Sequence, residues 1–171
     1  MSTTVSLNDV DIESVAGLAN ACTEDASRAA TTWKAEVTWT GGFRSESRIR
    51  DFGPIPSDEP EGLGGTNQAP NPVEQLLAAL GNCLAVGVAA NATARGISIR
   101  RLSIGIEGNL DLSTFLGIRP GHAGFDGITA SIDLDCDASA EEVDDLIRHV
   151  SETSPVGHTL SREIPVAVVT A

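Results

Sequence analysis

The sequence has no tyrosine, two tryptophans, four phenylalanines and one methionine, so its interior must be built from Val, Ile, Leu and Ala. Positive charge is equally scarce: 11 Lys and Arg stand against 24 Asp and Glu, a net charge of -13. Such a surface repels phosphate, which argues against sequence-independent binding to nucleic acid or to an anionic membrane. Cysteine is limited to Cys22, Cys83 and Cys136. No CxxC occurs and no Cys/His cluster has zinc spacing, so neither a disulfide scaffold nor a metal site is expected. The thiols are expected to be free, as in the reducing cytoplasm. The first residues carry no basic start followed by an apolar core, so no export signal is read there. Gly64-Gly65 lacks Walker or dinucleotide spacing, and no organic cofactor is expected. At 171 residues the chain fits one domain, with residues 1–30 as a helical appendage to a core of 31–171.

What is present reads as an α+β order with a mostly antiparallel sheet. Val15, Leu18, Ala19, Cys22 and Ala26 recur at helical spacing within residues 9–30. Residues 33–39 alternate as a strand, Gly41-Gly42 supplies a tight turn, and residues 43–51 return. Residues 52–70, rich in Pro, Gly and Asp, read as a long loop without a strand. Asn71 is then the expected cap of a helix, with Pro72 at its first position and Glu74 completing a capping box. From 76 to 90 this helix is apolar on nearly all sides, the mark of a helix buried centrally, and the run is short for a bilayer, which needs about 20 apolar residues.

Gly96 ends that helix. Residues 97–107 form a strand with a bulge near Arg100-Arg101. A second strand carries Ile128, Ala130, Ile132, Leu134 and Cys136 on one face and Asp133, Asp135 and Asp137 on the other. Ser139 and Glu142 form a second capping box before a helix with Val143, Leu146, Ile147 and Val150 inward. Ser154 caps a short turn that follows, and residues 164–169 are expected as a last strand. His122 and His149 stand alone as surface residues. The pair Ser154 and His158 has no nucleophile elbow around it, so no hydrolase is read. Cys22 and Cys136 follow buried faces and are read as packing residues.

The stretch NPVEQLLAALGNCLAVGVAANATARGISI resembles the central helix of OsmC-like proteins, where the reactive cysteine is carried on a Pro-Val-Glu-Leu-Leu-Leu-Ala-Ala-Leu-Gly-x-Cys motif. The resemblance continues through EGNLDLSTFLGI, GITASIDLDCDASAEEVDDLI and SPVGHTLSREIPVAVV, covering almost the whole chain. It implies a sheet wrapped around a long buried helix and an intertwined homodimer with sites at the subunit interface. It also implies reduction of organic hydroperoxides by two cysteines, the first attacking the peroxide and the second, at a Cys-Pro step, resolving the sulfenic acid. Cys83 matches the first position. Ser154, before Pro155, occupies the second. Arg44 matches the arginine after the Gly-Gly turn, with Phe43 inserted between. Glu74 lies one place after the family's arginine-orienting glutamate, where this chain has Val73, and one helical position turns a side chain by about 100°. Glu74 and Ser154 are therefore expected as supporting residues of a site centred on Cys83.

The reading is a single-cysteine, thiol-dependent reductase of a small apolar hydroperoxide or another electrophile, with an external thiol as reductant. The thiolate this needs requires a nearby cation or hydrogen bonds, and Arg44 is the candidate cation. The alternative is a small-ligand-binding or structural protein that keeps the fold without the chemistry.

Overall fold

A computed structural model describes residues 6–170. Chain contacts divide it into two compact units: Glu13–Leu76, and a second joining residues through Ile12 to those from Leu77 onward.

Within the Glu13–Leu76 unit, helix α1 spans Ile12–Glu24, shorter than the 9–30 periodicity predicts. It stops because Asp25 takes up its own local bond, its side chain accepting from Ser27 N at 3.0 Å to start a separate 3-10 turn. Strand β1 (Glu36–Gly41) pairs antiparallel with β2 (Arg44–Arg48), and Gly41 and Gly42 adopt φ of 111° and 61° in the turn. The Trp39 indole N–H donates to Gly42 O at 2.8 Å and braces that turn. The segment expected as pure loop contains a third strand, β3 (Ile55–Ser57), paired antiparallel to β2 with Pro56 opposite Glu46. Three residues with a proline at their centre carry no alternation to read, so only the pairing reveals them.

The long helix α2 runs from Pro72 to Ala94, with Asn71 as its cap. The capping box is present: Asn71 Oδ1 accepts from Glu74 N at 2.9 Å, and Glu74 Oε2 accepts from Asn71 N at 2.8 Å. Gly96, at φ 73°, closes the other end, where its N–H donates to Thr93 O and Ile97 N–H donates to Ala92 O.

In the second unit, Leu80, Leu84, Val88 and Ala92 of α2 form one buried stripe, spaced every fourth residue. It packs with Leu146 and Val150 of α3 (Ala140–Thr153) and with Leu102, Ile104 and Ile106 of β4 (Ile99–Leu110). Strand β5 (Phe125–Cys136) pairs antiparallel with β4 over their whole length, and the register slips between Ile99 and Arg101, at the expected bulge. Two glycines set the spacing: a Cβ on Gly87 would lie 2.7 Å from Val150 Cγ1, and one on Gly81 3.3 Å from Ile106 Cγ1. The second capping box, Ser139 with Glu142, starts α3 as expected, and α4 (Pro155–Leu160) follows at once.

Two expectations change. Helix α2 is not covered on all sides: 28% of its most apolar window is buried, and Val86 is 70% exposed. At 23 residues it is long and apolar enough to cross a membrane, as the core helix of a soluble protein can also be. Residues 164–169 form no strand and stay exposed. A strand needs an edge to pair with, and among the described residues these hydrogen bond to neither β4 nor β5.

Candidate functional site

Cys83 lies one residue before Leu84, at the margin of the buried stripe of α2, and is half-buried. Ser154 is placed by a chain reversal. It ends α3 and caps α4, with extended backbone (φ -68°, ψ 116°) of the kind a following proline enforces. Its hydroxyl oxygen accepts from Gly157 N at 3.0 Å. That oxygen stands 3.3 Å from Cys83 Sγ, and Ser154 is 4% exposed. Gly157 permits the approach, since a Cβ there would sit 3.1 Å from Ser154 Oγ and 3.9 Å from Leu80 Cδ1. Two of the four expected site residues, 71 positions apart in sequence, are therefore brought together.

Arg44 and Glu74 belong to the other unit. Arg44 opens β2, is exposed, and among the described residues joins no ion pair. The Glu74 carboxylate is engaged in the capping box, as the sequence suggested. Cys136 packs against the apolar core, and Cys22 is half-buried on α1. His122 and His149 are exposed, and His158 is held by Glu152 O at 2.6 Å. Among the described residues no group of three or more His, Cys, Asp or Glu is disposed to hold a metal ion.

Sequence reasoning missed Asp58. It is 1% exposed, and its carboxylate accepts from Thr66 Oγ1 at 2.6 Å and from the backbone N–H groups of Glu59, Thr66 and Gln68. The Thr66 hydroxyl is the main cause, with the backbone donors helping against burial, of a carboxyl pKa held down to about 2. Glu59 continues the chain of bonds by accepting from Asn71 Nδ2 at 3.2 Å, so the loop is tied to the cap of α2. Gly65 is required there, because a Cβ would fall 1.8 Å from Glu59 O. The one signal in the sequence was the small and amide residues packed between two prolines.

The profile of the OsmC-like protein family matches residues 65–169. The chain belongs to the OsmC-like family. No curated protein matches its sequence. Its fold is similar to an OsmC-like protein from Mycoplasma pneumoniae, with TM-score 0.66, 21% identity, and coverage of 77% of this chain and 88% of that one. An organic hydroperoxide resistance protein from Elizabethkingia anophelis is similar with TM-score 0.57 and 19% identity, over 76% and 88% of the two chains. The organic hydroperoxide resistance protein OhrB of Bacillus subtilis is similar with TM-score 0.52 and 19% identity, over 75% and 90%. The OsmC-like match takes in Cys83 and Ser154.

Proposed function

We propose that this OsmC-like chain reduces organic hydroperoxides through Cys83 alone, with an external thiol as reductant. The observation that supports the reading is the 3.3 Å contact between Cys83 Sγ and Ser154 Oγ, the residue that stands where the family resemblance implies a second cysteine. The Cys83 thiolate attacks one peroxide oxygen, the O–O bond breaks, and an alkoxide leaves to take a proton from water. Sulfur is oxidised to the sulfenic acid as the peroxide is reduced to an alcohol. Ser154 cannot form a disulfide, so one external thiol condenses with the sulfenic acid and releases water. A second thiol attacks the resulting mixed disulfide, so that Cys83 leaves as the thiolate and the two reductant sulfurs form a disulfide. Arg44 is the cation we assign to thiolate or peroxide on the family resemblance. A reducing compartment such as the cytoplasm suits a cysteine that works this way.

A homodimer is part of the proposal. It is supported by the uncovered side of α2 and by Trp33, Trp39 and the residues 164–169, all apolar and exposed. A second copy is the occupant whose supply is guaranteed wherever the chain is made. Sedimentation at micromolar concentration should give twice the chain mass, and a stable monomer would remove this part of the proposal.

The activity is tested with cumene hydroperoxide and added thiol. Wild-type protein should turn over peroxide repeatedly only with the thiol present, and without it consume no more than the few equivalents that oxidise Cys83; Cys83→Ser should not turn over, while Cys22→Ser and Cys136→Ser should. Ser154→Cys should trap a disulfide with Cys83 and spare it from overoxidation. If mass spectrometry finds Cys83 still reduced under excess hydroperoxide, the protein is a binding or structural member of its family.

A further inference from the structure

We propose that Ser154 is the hydrogen-bond donor that holds the sulfur of Cys83 in its anionic states, the thiolate before oxidation and the sulfenate after it. The sulfenate half rests on the reductase reading above; the thiolate half does not.

A serine hydroxyl has one proton to give and two lone pairs to receive with. Gly157 N–H donates to one lone pair of Ser154 Oγ at 3.0 Å, which holds that oxygen in place through the cap of α4 and leaves its proton free to turn toward Cys83. Cys83 Sγ, at 3.3 Å, is the other partner of that oxygen. While the thiol is protonated, either atom can donate. Once it ionises, sulfur has no proton left, and the contact survives in one sense only, from oxygen to sulfur. The bond then becomes charge-assisted and roughly twice as strong as a neutral one. At 4% exposure Ser154 is shielded, so water does not compete for the hydroxyl. The same proton reaches a sulfenate after oxygen has been added to sulfur. A resolving cysteine would consume that sulfenate; a serine retains it until the external thiol arrives.

The test uses the full chain and three variants. Ser154→Gly removes the hydroxyl while leaving a residue that caps a helix almost as well. Ser154→Thr keeps both hydroxyl and cap, and Cys83→Ala supplies the blank. The thiolate-to-thiol ratio of Cys83 at neutral pH, read from ultraviolet thiolate absorbance, should fall roughly tenfold or more in Ser154→Gly, the scale of a hydrogen bond to a charged group. Ser154→Thr should recover most of it. After one equivalent of cumene hydroperoxide, the sulfenic acid trapped by dimedone should be shorter-lived in the glycine variant. An unchanged ratio in Ser154→Gly overturns the donor role, whatever the threonine variant does. The thiolate measurement involves no peroxide, which separates the two ideas. If the ratio follows the hydroxyl while hydroperoxide leaves Cys83 untouched in every variant, the reductase reading falls and the donor role stands. If peroxide is consumed and the ratio ignores the hydroxyl, the reverse holds.

Discussion

From Leu77 onward the chain buries aliphatic side chains: Leu84, Val88, Ala92, Leu146 and Val150 are covered together. Between Glu13 and Leu76 the buried residues are instead Ser57, Asp58 and Asn71, and no apolar side chain is fully covered. The second region is ordered by directional bonds: the Asp58 carboxylate with its four donors, the Asn71–Glu74 box and the Trp39–Gly42 brace. Among the described residues none of its buried side-chain polar atoms lacks a partner. Hydrogen bonds of this kind give shape at modest net stability, about 1 kcal/mol each, whereas burial of a Leu contributes about 1.5–3 kcal/mol. The Glu13–Leu76 region thus has a defined conformation without the apolar burial that normally sustains one. Its large side chains, Trp33, Trp39, Phe43 and Phe52, are the apolar area a partner would cover.

The sharpest way to break this contrast is to remove one side chain from each region. Leu146→Ala should cost about 2–5 kcal/mol in global unfolding, measured by denaturant titration. Trp39→Ala should leave the same curve nearly unmoved at low concentration and weaken self-association; an equal loss of stability would erase the distinction. Next in size, Gly87→Ala should destabilise by about 1–3 kcal/mol despite the better helix propensity of alanine, because its Cβ would meet the fully buried Val150. Thermal melting of the two proteins decides it.

The effect at Asp58 is local. Its carboxyl is lowered from 3.8 to about 2, so the loop it organises is fully supported above the unfolded value and loses that support as pH falls through the folded one. The protection of the Thr66 and Gln68 amides, relative to their unstructured exchange rates at each pH, should therefore fall between pH of about 4 and 2 while core amides stay protected. Asp58→Ala should remove that protection already at neutral pH. The smallest effect is expected on the outer face of the β4–β5 pair. There Arg101 pairs with Asp133 and Arg100 with Asp135, all largely exposed. Arg101→Ala should change stability by less than about 1 kcal/mol, and added salt should shrink even that.

What could be read in the sequence was mostly what neighbouring residues decide among themselves. Both capping boxes, the Gly41-Gly42 turn, the bulge at Arg100-Arg101 and the closure of α2 at Gly96 each involve residues a few positions apart. The Cys83–Ser154 pair came from family likeness and could not have come from spacing. Asp58 was hidden because a lone aspartate in a polar loop looks like solvated charge, and three of its four donors lie 8 and 10 residues on. The strand expected at 164–169 is absent from the single chain, and that chain alone does not bury all of α2, for one reason. Periodicity tells which atoms seek cover, and says nothing about whether the same chain supplies it.

Asn8 makes one more consequence visible. Held at φ 54°, it donates through Nδ2 to Thr93 Oγ1 and Ile97 O, and its Oδ1 accepts from Ile99 N at 2.8 Å. The chain is thus pinned just before Glu13, to the same unit it re-enters at Leu77. Everything between is a loop closed at both ends. Its length enters the folding free energy only logarithmically, so that doubling it would cost about 0.6 kcal/mol. Residues inserted into the exposed turns of the Glu13–Leu76 excursion should leave the melting of the aliphatic core almost where it was. That excursion is where a binding peptide or a reporter domain could be grafted, with the Asn8 bonds holding the chain in its own unit just before the excursion begins.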